Sequence, residues 1–169
     1  MADKNIHKSR EEFLSSFDAL GRDEKIELIA SLMLSLKEGA KDTIPLSIFG
    51  NDKLSIFEAL AKYMKENLGM RFVAIGSILK RSDKTIWATY RKAKQKFPEP
   101  FSSAASDINV PAEKFSSREL TIFESLVDYL KSIGLANHEI AVRLHRDDRT
   151  IWSVYDRAKK KRGKNEDRG

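Results

Sequence analysis

The sequence predicts an all-α protein, an N-terminal helical pair followed by two tandem three-helix units, and three observations support this. The first is a duplication. Residues 81–96, Arg-Ser-Asp-Lys-Thr-Ile-Trp-Ala-Thr-Tyr-Arg-Lys-Ala-Lys-Gln-Lys, return 65 positions later at 146–161 as Arg-Asp-Asp-Arg-Thr-Ile-Trp-Ser-Val-Tyr-Asp-Arg-Ala-Lys-Lys-Lys. Over 44–65 and 69–96 against their counterparts, 21 of 50 pairs are identical, which is duplication and not chance. The second is periodicity: Ile151, Val154, Tyr155 and Ala158 recur at i, i+3, i+4 and i+7, an apolar helical stripe with basic residues opposite. The third is punctuation, with Gly21, Gly39, Gly69 and Gly134 each following an apolar-periodic stretch where a helix would end.

From Ser9, the residues Phe13, Leu14, Phe17 and Leu20 predict a short amphipathic helix closed by Gly21. Asp23 can cap a second, Glu24 to Glu38, whose stripe of Ile26, Ile29, Met33 and Leu36 is wide for a helix pair standing alone. Residues 1–43 are therefore read as a helical pair that either docks on the rest of the chain or forms a homodimer through residues 9–38. The first unit, 44–97, opens with Ile44-Pro45 and Phe49. It continues in a long helix from Asn51 or Asp52 to Leu68, breaks at Gly69, and ends in a short helix, Phe72 to Leu79, and a basic helix from Asp83. Residues 98–109, with Pro-Glu-Pro and Ser-Ser-Ala-Ala-Ser, lose the helical period and predict a linker that lets the halves orient separately. The second unit, 110–162, retraces the first, and the polar tail 163–169 lacks apolar residues to pack.

Charge is distributed unevenly. Of a net +6 over 169 residues, 44–97 carries +7 and 110–162 carries +3, while 1–43 and 98–109 are each −2. Basic repeats point to an anionic partner. With no cysteine, disulfides, thiolate metal sites and thiol catalysis are excluded. The opening residues lack the apolar core of a signal peptide, and the run Ile29 to Leu36 is too short to span a bilayer. A soluble, cytoplasmic protein without membrane contact is expected.

In the second unit Leu135-Ala-Asn-His-Glu-Ile-Ala-Val-Arg-Leu, then Thr150-Ile and Arg157-Ala-Lys-Lys, describe a short helix, a tight turn and a second helix. This stretch, with its counterpart in 70–97, resembles the helix-turn-helix of the promoter-reading C-terminal domain of bacterial sigma factors and related transcription regulators. The resemblance implies a helix lying in the DNA major groove with its N-terminal half at base edges. The turn departs from the usual glycine, having Lys80-Arg81 and His145-Arg146.

On this basis Lys84 and Arg149 are best placed to reach bases, where arginine can take guanine bidentately. Ala88 and Ser153 permit close approach on the same face. Arg91 corresponds to Asp156, so the copies are expected to read different bases. Lys80, Arg81, Lys92, Arg146, Arg157, Lys160 and Lys161 are the expected phosphate contacts, which position without specifying. Trp152 borders the apolar face and is expected to pack against the long helix of its unit, the alternative being contact with a sugar, a base or a partner protein; Trp87, the equivalent residue, is a candidate contact of the same kind. Each charge has a plainer alternative as solvated surface.

His138, Glu139 and His145 do not have the His-Glu-x-x-His spacing of a zinc site, and phosphate-loop and nucleophile-elbow motifs are missing from the sequence. No catalytic residue, metal or cofactor is expected. The sequence thus predicts a non-enzymatic, sequence-specific double-stranded DNA-binding protein, a transcription regulator that is nucleoid-associated when bound. The alternative is an adaptor that grips protein, such as RNA polymerase or a viral packaging or assembly component, with the tryptophans as anchors.

Overall fold

The computed structural model describes residues 15–41, 43–102 and 106–166, the side chains of 32–41 and 164–166 excepted. These residues are mostly helical, and the chain divides into two units, Met1–Lys41 and Asp42–Gly169.

In the first unit residues 15–19 are helical and helix α1 spans Arg22–Lys41. The Glu24 carboxylate accepts the Gly21 N–H at 2.9 Å, and Asp23 joins it in the first turn, satisfying donors that a helix start leaves open. The helix does not stop at Gly39 as expected, since one glycine costs a helix only about 1 kcal/mol. Ile26 and Ile29 are exposed. Phe13 and Leu14, and the side chains of Leu32, Met33 and Leu36, lie outside the described residues, and with them most of the stripe on which a homodimer was expected.

The second unit contains both repeats. The first comprises strand β1 (Thr43–Pro45), a 3-10 turn (Leu46–Phe49), and helices α2 (Ile56–Glu66), α3 (Phe72–Leu79) and α4 (Asp83–Lys96). The second comprises β2 (Asn109–Pro111), a 3-10 turn (Ala112–Phe115), and helices α5 (Ile122–Ser132), α6 (Asn137–Leu144) and α7 (Asp148–Glu166). Helix α2 begins later than Asn51 because a stronger cap lies downstream. Ser55 and Glu58 form a reciprocal capping box, repeated at Thr121 and Glu124, and Asn51 instead ties the preceding loop through Leu54 N–H and Ile48 C=O.

The repeats interlock. Strands β1 and β2 pair antiparallel with Ile44 opposite Val110, flanked by Thr43–Pro111 and Pro45–Asn109. Ile44 and Val110 are equivalent positions of the duplication, so a two-fold axis passes between them. Further contacts between the repeats obey that axis. Phe49 meets its counterpart Phe115 at 6.0 Å between ring centroids, and each 3-10 turn packs on the short helix of the other repeat. A shallow hollow is lined by Ser55, Ile56 and Phe57 together with their counterparts Thr121, Ile122 and Phe123.

Two equivalent arginines close the arrangement. Arg81 donates to the carbonyls of Ser117 and Leu120 at 2.8 and 3.0 Å; Arg146 donates to those of Asn51 and Leu54, the corresponding residues, at 3.4 and 3.2 Å. Both arginines, expected as phosphate contacts, thus have guanidinium donors engaged within the protein. Gly50 comes so close to α6 that an added Cβ would lie 2.6 Å from the Arg143 carbonyl oxygen. One apolar cluster runs through both repeats, with Ile44, Leu60, Ile75 and Ile86 from the first and Val110, Leu126, Ile140 and Ile151 from the second.

Independent orientation of the halves is therefore not what the structure has. The described parts of 98–109 are also tied down. Phe101 stacks with Phe97 and meets Tyr63, its carbonyl accepts from Asn67 at 2.9 Å, and Asp107 pairs with Arg143 at 2.8 Å. Fully buried Lys62 reaches Glu66 and lies beneath the Phe97 and Phe101 rings. A buried ammonium needs such a partner to offset desolvation.

Hydrogen bonds from a charged donor contribute about 1.5–3 kcal/mol. Arg81→Ala and Arg146→Ala are each expected to lower unfolding free energy by about that amount in urea titrations of the full chain. A loss below about 0.5 kcal/mol, the level of an ordinary surface substitution, would contradict the clamp.

Candidate nucleic-acid interface

In each repeat a short helix, a sharp turn and a basic helix follow one another. The turn residues Lys80 and His145 are left-handed, at φ 50° and 51°, where glycine would avoid a penalty of about 1–2 kcal/mol. The following arginine offsets it. Arg81 bonds the Leu79 and Lys80 carbonyls, and Arg146 bonds that of His145, before each side chain reaches across to the other repeat. Where the two helices cross, the residue is small, Gly76 or in the second copy Ala141; Arg81 N–H bonds Gly76 C=O and Arg146 N–H bonds Ala141 C=O, both at 2.9 Å.

The basic helices start firmly. Ser82 caps α4 by accepting Thr85 N–H at 3.1 Å, and Asp147 accepts Thr150 N–H at 2.7 Å and the Thr150 hydroxyl. The Asp147 carboxyl is held below its ordinary value chiefly by these Thr150 bonds. Ile86 and Ala93 on α4, and Ile151, Val154 and Ala158 on α7, are buried. Burial of one stripe fixes what the other face presents.

On α4 that exposed face carries Lys84, Trp87, Ala88, Arg91 and Lys92, with Lys80 in the turn before it. Trp87 is 47% exposed and Arg91 lies over its ring at 5.0 Å; Trp152 is 60% exposed. Packing against the long helix, expected for Trp152, is thus corrected. The apolar stripe is already filled by smaller residues, and Trp sits one position off it. Lys80, Lys84, Arg91 and Lys92 make no ion pair among the described residues.

Helix α7 is more compensated. Arg149 is exposed and has no ion pair, and Ser153 donates to the Arg149 carbonyl at 2.8 Å. Asp156 pairs with Lys160 at 2.7 Å. Lys161 and Arg157 approach Glu124 at 2.6 and 3.7 Å, as Lys96 approaches the equivalent Glu58 at 2.7 Å. The expected contacts are therefore brought together on two helix faces, but Arg157, Lys160 and Lys161 also serve as partners of acids within the chain.

One residue of this surface was not legible in the sequence. Arg118, exposed and without an ion pair among the described residues, lines a depression with Val73, Lys80, Arg81 and Ser82. It belongs to the second repeat but flanks the turn of the first, because the interlocked loops exchange places. Its counterpart Asp52 approaches His145 in the other turn at 3.7 Å. The reversal of sign between Asp52 and Arg118 is visible in the repeat alignment, but its location is not. His138 pairs with Asp148 at 3.1 Å, and no cluster of three metal-binding side chains occurs among the described residues.

Burial raises the pKa of Glu124, but Lys161 and the Thr121 N–H and hydroxyl outweigh it, so the carboxyl stays below its ordinary value; Lys96 and Ser55 do the same for Glu58. A depressed carboxyl stabilises the fold above its unfolded pKa, about 4.3, and loses that contribution as pH falls through the folded value. Urea midpoints should therefore drop below pH 4.5, and Glu124→Gln should be less stable at pH 7 with a shallower drop. An unchanged pH profile would contradict this. No helix among the described residues is long and apolar enough to cross a membrane. No protein-family model, no curated protein and no solved structure matches the chain.

Proposed function

We propose that the protein binds double-stranded DNA sequence-specifically through two helix-turn-helix units, acting as a transcription regulator. The observation that carries this reading is the exposed face at the start of α4, where Lys84, Trp87, Ala88 and Arg91 follow a left-handed turn and the cations lack acidic partners among the described residues. A solvated charge face needs no such arrangement. A helix that projects beyond a buried stripe and presents Lys84, the small Ala88 and Arg91 on successive turns suits the major groove. Lys80, Lys92 and Arg118 flank it as phosphate contacts. On α7, Arg149 is the base-reading cation, and Ser153 and Asp156 shape what it can accept.

A second reading is favoured by one observation, the exposure of Trp87 and Trp152. Exposed tryptophan anchors protein interfaces, and RNA polymerase or an assembly component would be the partner. Salt dependence separates the two readings. Neutralising about 6 phosphates gives a slope near −5 in log affinity against log salt, and a slope near zero favours the protein partner. On a preferred site Lys84→Ala and Arg149→Ala should each cost about 1–3 kcal/mol and relax base preference, whereas Lys92→Ala should weaken all sequences alike. Equal losses on specific and random DNA for all three would refute the groove assignment.

A further inference from the structure

We infer that the target is an imperfect inverted repeat whose two half-sites are unequal, the half-site under α4 dominating. This rests on the DNA reading above and adds the orientation and ranking of the half-sites.

Orientation follows from the symmetry of the contacts between repeats. A tandem duplication can place its copies by translation, which joins different surfaces, or by a two-fold rotation, which joins the same surface to itself. Every inter-repeat contact described is of the second kind. Ile44 pairs with Val110 and Phe49 meets Phe115. Arg81 reaches Ser117 and Leu120 while Arg146 reaches Asn51 and Leu54. Helices α4 and α7 are packed within this arrangement, each on the long helix of its repeat, so they are related by the same axis. Duplex DNA has two-fold axes perpendicular to its length, and a protein with such symmetry reads a sequence that repeats in inverted order. One chain thus does what other readers of this type do as dimers.

Ranking follows from electrostatics that break the symmetry. At the first unit Lys80, Lys84, Arg91, Lys92 and, from the other repeat, Arg118 stand without acidic partners among the described residues. At the second, the positions of Arg91 and Arg118 are taken by Asp156 and Asp52, and Asp156 engages Lys160. Carboxylates facing phosphates weaken contact, and a carboxylate at a base edge accepts from a cytosine amine where arginine favours guanine.

The test is selection of bound sequences by the full chain from a random duplex pool, repeated with Asp156→Arg and Asp156→Asn. The expected product is two related half-sites in inverted orientation. Asp156→Arg should change one base position, in one half-site only, toward the identity found in the other. Scrambling the half-site that Asp156→Arg leaves unchanged should weaken wild-type binding about tenfold more than scrambling its partner, and Asp156→Asn should narrow that gap. A direct repeat or a single half-site would overturn the inference while leaving DNA binding intact, and so would equal losses on scrambling either half. Absence of any enriched sequence, together with salt-independent retardation, would overturn both the inference and the reading beneath it.

Discussion

The reciprocal pairing of equivalent residues across one axis is the constraint on which the 42–169 unit depends. Ile44 against Val110 fixes the register, Phe49 against Phe115 fills the space below it, and Arg81 and Arg146 tie each turn to the opposite loop. A three-residue strand could not persist alone, since even an isolated hairpin is marginal in water. Here the strands are held by the 3-10 turns that continue into the core. Pro45 and Pro111 are tolerated because each strand has only one neighbour and so remains an edge. The same arginine that clamps the other repeat also braces its own left-handed turn, so unit geometry and repeat association are coupled through one side chain.

That coupling explains why a symmetric scaffold can carry unlike surfaces. The residues on the axis or clamping across it are identical or similar in the two copies: Ile and Val, Phe and Phe, Arg and Arg. The outward-facing positions, exposed or half-buried, have diverged, Lys84 to Arg149, Ala88 to Ser153, Arg91 to Asp156 and Asp52 to Arg118. Substitutions on a solvated helix face usually change stability by less than about 0.5 kcal/mol, so the outer face is free to vary while the inner one is not.

Much of the local structure was legible in the sequence, because it follows from short-range chemistry. Helix α3 has the expected bounds Phe72–Leu79, and Gly69, expected to end a helix, breaks the chain at φ +66°. What was not legible is long-range. A residue such as Arg81 in a basic turn looks the same in sequence whether its guanidinium meets a phosphate or the Ser117 carbonyl 36 positions away. The 98–109 stretch has the composition of a linker, yet Phe101 and Asp107 give it anchors that only the folded surface reveals. Trp87 and Trp152 border an apolar stripe, and only the filled core shows that no room remains for their rings. Of the candidate site, the helix faces could be read in advance. The contribution of Arg118 from the opposite repeat could not.

The central claim is that both repeats form one cooperative body on a two-fold axis, so that neither basic helix exists without the other. Native-state hydrogen exchange on the full chain tests it most directly by comparing the slowest amides of α2 with those of α5. The account predicts the same opening free energy for both helices, and an equal fall in both when Arg81 alone is replaced by alanine. Exchange of one helix at markedly lower free energy while the other stays protected, or a fall confined to the first repeat, would contradict it.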